Sequence, residues 1–366
     1  MSETYPITTR LDERCWREFV EGHPHGSIFH TPEMYEVFSR TKGYKPLLWA
    51  AIDPRGRPLA LLLPVQVTLF PDPLRFLSTR ALVYGSVLHE NSPSGTEAVR
   101  LLLDNYNRKT RGILLTEMRN LVSLDPIQPI LQTAGFQYEE QLNYLIHLDR
   151  PVDEILQSMH KRTRHRIRLA LKRQEVTVTE IEDRSELALF YHLVCMSYQA
   201  ARVPVADRSL FEAAFDVLRP KGMVKFLLAW VGDQCVAASA ELLYKDVIFG
   251  WYSGLNRDFG SDSANYILRW HLWEWGATHG YRIFDFGGAG RTNQPYGVRD
   301  FKAKFGGELV SYGRNIRIHS PVCLAICKAA YQVYRRIAFK GRHITDSHRS
   351  QEHNVPDPLS VETGEQ

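Results

Sequence analysis

Short apolar or alternating segments recur along the chain between turns rich in glycine and proline, and their lengths separate strands from helices. Strands are predicted at 46–53, 58–67, 112–117, 136–148, 224–231, 234–244, 247–253, 282–286 and 308–318. Helices are predicted at 12–21, 32–40, 94–109, 125–134 and 263–279. This mixture predicts an α+β fold with mixed, mostly antiparallel sheets flanked by helices.

The order of the predicted elements repeats in the two halves of the chain. The strand that ends in Glu117 and the strand that ends in Asp285 each follow a Thr-x-Gly turn, at an offset of 168 residues. A glycine precedes the long strand that follows in each half, at an offset of 172. Such a repeat predicts a duplicated domain, with one copy at residues 1–150 and the other at 151–340.

Composition then narrows the class of protein. Of the 366 residues, 44% are hydrophobic and 23% charged, which is enough for a large buried core. The net charge of +4 excludes a general nucleic-acid coat, so an anionic partner needs a local basic patch. The five cysteines are scattered along the chain and predict free thiols, as in a reducing compartment. No apolar run approaches the roughly 18–20 residues of a membrane span. We therefore expect a cytoplasmic protein. Residues 341–366 are predicted to be a disordered tail.

A candidate metal site occurs near the C-terminus, where His319, Cys323 and Cys327 share a helical spacing. Only three ligands are local, so core packing of the thiols is the preferred interpretation and no metal is expected.

The segment 285–308 carries the densest chemical signal. It reads Asp285-Phe-Gly-Gly-Ala-Gly, then Tyr296-Gly, then Phe301-Lys302-Ala-Lys-Phe-Gly-Gly-Glu. Glycines such as Gly287 and Gly288 allow a ligand to approach the backbone closely. A lysine beside an aromatic residue can supply positive charge to a developing oxyanion, as Lys302 would here. The alternative is an ordinary turn with a solvated lysine.

This segment and the basic stretch Leu156–Arg173 resemble the Fem-type transferases, aminoacyltransferases that build the peptidoglycan interpeptide bridge, and their acyltransferase relatives in the GNAT superfamily. The resemblance covers roughly residues 27–318 and is stronger in the second half. It implies two tandem GNAT-like domains, as the repeat does independently. It also implies transfer of an acyl or aminoacyl group to an amine of a cell-wall precursor, with no cofactor. Since the sequence shows no convincing nucleophile–base pair, we expect direct attack without a covalent enzyme intermediate.

The resemblance also implies roles for particular residues. Lys302 is expected to stabilise the transition state and Phe301 to position that lysine. Asp285 and Glu117 are expected to orient or deprotonate the attacking amine. The expected substrate contacts of the same segment are Gly287, Gly288 and Tyr296.

The choice of donor depends on where phosphate can bind. GNAT domains that use coenzyme A hold its pyrophosphate on the backbone of a glycine-rich loop at a helix N-terminus. In the corresponding loop, Arg257–Asp262, the last position is a carboxylate that would repel a pyrophosphate. A basic helix face can instead bind the phosphates of a tRNA or of a nucleotide sugar. The residues of that face are Lys161, Arg164, Arg168 and Lys172.

Aminoacyl-tRNA is therefore the expected donor, and two alternatives remain open. One is an N-acyltransferase that uses acyl-CoA on a sugar or exopolysaccharide precursor. The other is a non-catalytic protein that binds RNA or nucleotides through the basic helix, whose charged face is otherwise simply solvated. A basic amphipathic helix predicted at 321–340 is expected to dock on its own domain, with contact to an anionic membrane surface as its alternative.

Overall fold

The computed structural model describes residues 5–327 apart from 69–77, 111, 202 and 260–262, and also residue 329. Three predicted features lie outside these residues: the tail at 341–366, the terminal helix beyond residue 329, and Asp262. The described residues divide into two compact units. The first unit contains the chain up to His30, Gly43–Glu139 and the chain from Gly313 onward, and the second contains Thr31–Lys42 and Glu140–Tyr312.

The first unit combines two sheets with helices that pack their apolar faces on them. Its strands are β1 (Ile7–Thr8), β2 (Tyr44–Pro46), β3 (Trp49–Ile52), β4 (Pro58–Leu62), β5 (Pro64–Val67), β6 (Arg80–Tyr84), β7 (Leu88–His89), β8 (Leu115–Arg119), β9 (Gln137–Glu139) and β17 (Arg314–Ile318). Its helices are α1 (Glu13–Gly22), α3 (Pro93–Lys109) and α4 (Gln128–Thr133). Asp12 and Ser92 start α1 and α3, because each side chain accepts a backbone N–H three residues on.

The second unit is built on one large sheet. Its strands are β10 (Leu142–His147), β11 (Thr177–Glu180), β12 (Val224–Val231), β13 (Gln234–Tyr244), β14 (Val247–Leu255), β15 (Ile283–Gly288) and β16 (Glu308–Ser311). Its helices are α2 (Pro32–Arg40), α5 (Val152–Gln157), α6 (Lys161–Arg173), α7 (Leu187–Ala200), α8 (Ser209–Leu218), α9 (Ser263–Thr278) and α10 (Gly297–Ala303). Ile167 and Ala170 of α6 join Trp273 of α9 in the core, which leaves the opposite face of α6 to the basic residues.

The two units share one strand order. In the second unit the order is β11-β12-β13-β14-β15-β10-β16, and in the larger sheet of the first unit it is β2-β5-β6-β8-β17-β9. Each sheet has one parallel pair, β14 with β15 and β6 with β8, and every other neighbouring pair is antiparallel. In each sheet, the strand next to the second member of the parallel pair comes from the opposite half of the sequence. This strand is β10 beside β15 and β17 beside β8. The predicted α+β fold with two similar domains is therefore confirmed.

Two long strands predicted from the sequence are each two strands. The segment 136–148 contains β9 and β10, and 308–318 contains β16 and β17, with the members of each pair in different sheets. Gly313 turns the chain between β16 and β17 with a φ of +67°. The prediction of single strands was wrong because alternation does not report which sheet a strand joins, and the largely exposed β9 and β16 have no buried face that would mark the break. As a result, the two units are discontinuous in sequence, whereas the predicted ranges 1–150 and 151–340 are continuous.

Other boundaries also differ from the prediction. The hairpin strands 46–53 and 58–67 are each broken between two sheets, and Pro64, which lacks a backbone N–H, begins the second half of one of them. The basic helix starts at Lys161 rather than at Leu156, because α5 ends at Gln157 and the Ser158 hydroxyl donates to the carbonyl of Ile155. No element was predicted between 174 and 223, where β11, α7 and α8 lie.

No helix among the described residues is long and apolar enough to cross a membrane. Cys323 and Cys327 pack against a small cluster that includes Leu114 and Ile316, as the preference for core packing predicted.

Candidate active site

Lys302 lies near the end of α10 and is buried, with 8% of its surface exposed. Its Nζ donates to three successive backbone carbonyl oxygens, those of Phe286 at 2.7 Å, Gly287 at 3.1 Å and Gly288 at 2.8 Å. An ammonium group has three N–H donors, so each is used. The lysine therefore ties α10 to the end of β15, where the glycine-rich segment begins.

The end of β15 is shaped by Gly287 and Asp285. Gly287 has a φ of +70°, a left-handed conformation that glycine adopts without steric cost. Asp285 Oδ1 accepts a hydrogen bond from the Gly287 N–H at 2.7 Å and another from Asn143 Nδ2 at 2.6 Å. Asn143 is fixed in turn, because its Oδ1 accepts the N–H of Tyr144 at 2.8 Å. The carboxylate is thus held by a turn of its own strand and by the neighbouring strand β10.

Burial governs the protonation of both charged groups. Burial lowers the pKa of Lys302 to about 7; the Asp285 carboxylate opposes this shift, and the Arg269 guanidinium adds to it. Burial also raises the pKa of Asp285, against the hydrogen bonds from Asn143 and Gly287 and the charge of Lys302. Both groups therefore titrate closer to neutral pH than their exposed counterparts, which suits proton transfer at that pH.

Aromatic rings enclose this part of α10. Phe301 stacks on Tyr266 of α9, with centroids 5.9 Å apart and planes at 8°, and meets Phe305 edge-on at 5.1 Å. Lys302 Nζ lies 5.5 Å from the centroid of the Phe286 ring. A wall of rings lowers the local dielectric, so the charge of Lys302 acts more strongly than it would in water.

Tyr296 precedes α10 and packs on the glycine segment. A Cβ atom at Gly290 would lie 2.7 Å from the Tyr296 ring, so a side chain there would displace the tyrosine. Arg299 donates to the carbonyl oxygens of Arg291 at 2.5 Å and Gln294 at 2.6 Å, which closes the connection between β15 and α10 on itself. The predicted substrate contacts Gly287, Gly288 and Tyr296 therefore lie along one continuous, internally bonded segment.

The basic helix begins beside the same segment. The backbone N–H of His160, just before α6, donates to the carbonyl of Lys304 at 3.0 Å, directly after α10. Lys161 and Arg168 are exposed, whereas Arg164 is partly buried and its Nη1 donates to the carbonyl of Gln157 at 2.7 Å. Lys161 and Arg168 thus offer solvent-facing charge, and Arg164 also serves the turn that precedes the helix.

Glu117 belongs to the first unit, unlike the other predicted catalytic residues. Its Oε1 accepts from Arg119 Nε at 2.9 Å and from Arg314 Nη1 at 2.7 Å. The pKa of Glu117 is lowered to about 2, because the charges of Arg119, Arg314 and Arg80 outweigh the opposing effect of burial. The structure therefore groups Asp285, Phe301 and Lys302 around one segment and places Glu117 in a separate ion network.

Sequence reasoning missed several residues of this site. Asn143 lies in a predicted strand, where a single asparagine looks like an ordinary surface position. Glu241 and Arg269 form a buried ion pair in the second unit, with 2.6 Å between Oε1 and Nη1. A signal for Glu241 was available, since it is the one acid within the apolar run 236–243.

Comparison with known proteins first defines the class. Residues 157–302 match the model of the acetyltransferase (GNAT) domain family. The structure of a tandem GNAT protein from the clavulanic acid biosynthesis pathway superposes with a TM-score of 0.54 at 10% identity, covering 87% of this chain and 99% of that one. Together with the shared strand order, these matches identify the fold as two tandem GNAT-like domains.

Within that class, the similarity is to the Fem type. The lipid II:glycine glycyltransferase of Staphylococcus aureus is 25% identical over 231 residues, which cover 57% of this chain and 52% of the relative. The chain thus spans about half the length of the curated relatives it matches. The crystal structure of FemX superposes with a TM-score of 0.67 at 18% identity, covering 90% of this chain and 99% of that one. The predicted resemblance to Fem-type GNAT transferases is confirmed.

Proposed function

We propose that this protein transfers an aminoacyl group to an amine of a peptidoglycan precursor, as a Fem-type acyltransferase. The observation that carries the proposal is Lys302, a buried cation at a glycine-bent strand end, with Asp285 held two residues before the bend. A buried charge of this kind is costly to fold and is typical of a site that stabilises a developing charge. The similarity to a lipid II:glycine glycyltransferase supports the choice of acceptor.

The proposed reaction is a direct attack of the amine on the acyl carbonyl carbon. Asp285 orients the amine and accepts the proton that the nitrogen loses as the new C–N bond forms. The carbonyl oxygen becomes an oxyanion, which the positive charge of Lys302 stabilises. The carbonyl bond then re-forms as the C–O bond to the donor breaks, and the leaving oxygen takes the proton that Asp285 accepted, so that no covalent enzyme intermediate is needed.

The three hydrogen bonds of Lys302 place a condition on this mechanism. Since each N–H already reaches a backbone carbonyl, the lysine acts on the oxyanion by charge, or by moving one donor from a carbonyl to the oxyanion. The carbonyls of Phe286, Gly287 and Gly288 hold the lysine at a fixed point before substrate arrives. Fixed charges of this kind need no reorganisation during the reaction, which is what makes them effective.

The proposed donor is aminoacyl-tRNA, bound through the exposed face of α6. Lys161 and Arg168 present charge to solvent beside the segment that carries Lys302. Coenzyme A is the less favoured donor, because the carboxylate of Asp262, in the loop that would bind its pyrophosphate, would repel that group. The proposed location is the cytoplasm, where charged tRNA is made, with peripheral contact to the membrane when the acceptor is lipid-linked.

A panel of donors and acceptors tests this proposal. Purified protein is incubated with tRNAs charged with labelled glycine, alanine or serine, or with labelled acetyl-CoA, and with nucleotide-linked or lipid-linked peptidoglycan precursors. We expect label to move from a charged tRNA to a precursor, and not when Lys302→Met replaces the wild type. Transfer from acetyl-CoA alone to a sugar acceptor would instead favour the N-acyltransferase alternative, and RNA binding without any transfer would favour the non-catalytic one.

A second experiment tests the role of the basic helix. Lys161→Glu with Arg168→Glu reverses two exposed charges on one face, and Arg162→Glu with Arg173→Glu makes the same change in charge on another face of α6. We expect the first pair to abolish tRNA binding and the second pair to weaken it much less. Wild-type binding should fall steeply with salt, by about 0.7–0.9 units of log K per unit of log salt for each phosphate contacted. Equal effects of the two pairs would mean that the helix contributes only overall charge.

A further inference from the structure

A buried ion pair lies beneath the proposed active site and has no role in the mechanism above. Glu241 of β13 is fully buried, Arg269 of α9 is 7% exposed, and their Oε1 and Nη1 atoms are 2.6 Å apart. Replacing a buried ion pair by apolar side chains often leaves stability unchanged or improves it, so the pair is poorly explained as a stabilising device. Its position suggests another role.

The Glu241 side of the pair reaches the strand that carries Asp285. Gly250 is the register partner of Glu241 on β14, at an irregularity of the β13–β14 pairing. A Cβ atom at Gly250 would lie 3.4 Å from Glu241 Oε2, 3.4 Å from the Asp285 carbonyl oxygen and 3.1 Å from the Phe284 ring. Glu241 Oε2 and the backbone of β15 therefore both lie within van der Waals distance of one point beside Gly250.

The Arg269 side of the pair shares a cluster of rings with Lys302. The Arg269 guanidinium carbon lies 5.9 Å from the centroid of Phe284, and Lys302 Nζ lies 5.5 Å from that of Phe286. The two rings meet edge-on with centroids 4.9 Å apart. Two cations are thus buried against one pair of rings, where the dielectric is low and their repulsion is strong.

The ion pair also has an incomplete set of hydrogen bonds. Among the described residues, Glu241 Oε2 and Arg269 Nε are buried without a hydrogen-bond partner, and so is Nε1 of Trp273, one turn along α9 from Arg269. Buried polar groups in native proteins are nearly always paired, and exceptions often coincide with functional sites. This too is unlike a purely structural ion pair.

We propose that Glu241 is a positioning residue of this active site, which keeps Lys302 in its charged form by neutralising Arg269 behind it. The catalytic part of this inference rests on the proposed function, whereas the electrostatic part does not. The charged groups that act on Lys302 are Asp285 from β15, which favours the ammonium form, and Arg269 from α9, which opposes it. Burial raises the pKa of Glu241 to about 7, against the charge of Arg269, so the Glu241 carboxylate neutralises Arg269 above about that pH. Without the Glu241 carboxylate, the Arg269 charge would be unopposed and Lys302 would lose its proton more readily.

Titration of Lys302 by NMR tests the inference without any substrate. Lysine side chains are labelled with 13C at Cε, and the Lys302 signal is assigned by its loss in Lys302→Met. We expect Glu241→Gln to lower the titration midpoint of Lys302 by about one pH unit or more, the effect of one nearby charge. Arg269→Met should raise the midpoint, and the double variant Glu241→Gln with Arg269→Met should return it toward the wild-type value. If Glu241→Gln alone fails to fold, the Lys302 midpoint in Arg269→Met still tests whether the Arg269 charge acts on Lys302.

A matched control uses another buried carboxylate of this unit that forms an ion pair. Glu33 of α2 is 3% exposed and pairs with Lys221 at 2.7 Å, so Glu33→Gln removes an equivalent group elsewhere. This variant should leave the Lys302 midpoint and the transfer activity unchanged. In the transfer assay, Glu241→Gln should lower kcat about tenfold near neutral pH with KM unchanged, and should move the high-pH limb of kcat to lower pH.

Each outcome separates the two proposals. A shifted midpoint in a protein that transfers nothing would support the link between Glu241 and Lys302 and overturn the proposed function. Active transfer with a midpoint that does not move in either single variant would overturn the positioning role and leave the function intact.

Discussion

Glu117 in the first unit and Asp285 in the second occupy the same place in two copies of one sheet, yet their surroundings are opposite. Each carboxylate lies on the second strand of the parallel pair, where Glu117 is the register partner of Leu82 and Asp285 that of Phe249. Glu117 is surrounded by arginines that lower its pKa to about 2. Asp285 faces a single buried lysine, and burial raises its pKa.

The difference arises in the residues that follow each acid. After Glu117 the strand continues to Arg119, whose side chain turns back to pair with the carboxylate and also lies over the Tyr84 ring at 5.3 Å. After Asp285 the chain bends at Gly287, which exposes successive carbonyls to Lys302. In the first arrangement the arginines hold the carboxylate in its charged form. In the second, burial lowers the pKa of Lys302 to about 7 and raises the pKa of Asp285. One fold element therefore supports an ion network in one unit and proposed catalysis in the other.

The largest loss of kcat is expected for Lys302→Met, which removes the buried cation of the second unit. Loss of the buried charge should lower kcat by about two to three orders of magnitude, as the loss of an oxyanion donor does. Lys304→Met removes an exposed lysine two residues away and should change kcat less than about twofold. Steady-state assays of the transfer reaction measure both. Small and equal losses would mean that the buried charge of Lys302 does not stabilise the transition state.

The pH dependence of the wild type follows from the same lysine. Its pKa is lowered to about 7, so the ammonium form predominates below that pH and is lost above it. If the charge is needed for transfer, kcat should fall as the pH rises through about 7. A plateau that continues to pH 10 would contradict this assignment.

Glu117→Gln should affect stability rather than turnover. Since the pKa of Glu117 falls from 4.5 to about 2 on folding, its carboxylate stabilises the protein above about pH 4.5, and that stabilisation is lost as the pH falls towards 2. The shift corresponds to about 3 kcal/mol at neutral pH. Urea unfolding at several pH values should show the variant less stable by about that amount at pH 7, with the difference shrinking below pH 4.5. A large loss of kcat per folded molecule would instead give Glu117 the role of orienting the amine that the resemblance implies.

Asp285→Asn, unlike Glu117→Gln, should lower turnover rather than stability. The amide keeps the shape of the side chain but cannot accept the amine proton, so kcat should fall by about 100-fold. The unfolding free energy should change little or increase, because a buried carboxylate with a raised pKa is replaced by a neutral group. Comparison of kcat and urea midpoints for Asp285→Asn and Glu117→Gln tests the contrast directly. If the two variants changed kcat and the urea midpoint by the same amounts, Glu117 and Asp285 would not have different roles.

The sequence predicted this contrast only in part. The repeat offset of 168 placed Glu117 and Asp285 at equivalent positions, and the Phe301-Lys302 pair was recognisable because its residue types are unusual beside a glycine cluster. The arginines around Glu117 were not predictable, since Arg314 reaches it from a strand about 200 residues away in sequence. Asn143 was missed for the same reason, because β10 pairs with β15 from the other half of the chain. Local patterns report which face of a strand is buried, and they do not report which sheet it joins.

The smallest effect, and the one closest to the structural cause, is expected for Gly287→Ala. A Cβ there would meet nothing closer than 3.6 Å, so the cost is backbone strain at a φ of +70°, about 1–2 kcal/mol. Gly280, in the turn between α9 and β15, provides the control, since it has a φ of +83° and open space where a Cβ would lie. Both alanine variants should lower the unfolding free energy by similar amounts. Only Gly287→Ala should also lower kcat, by about tenfold, because relief of the strain moves the carbonyls that fix Lys302. If both variants kept wild-type kcat, the bend at Gly287 would be a feature of folding alone, and the contrast with the straight end of β8 would carry no catalytic meaning.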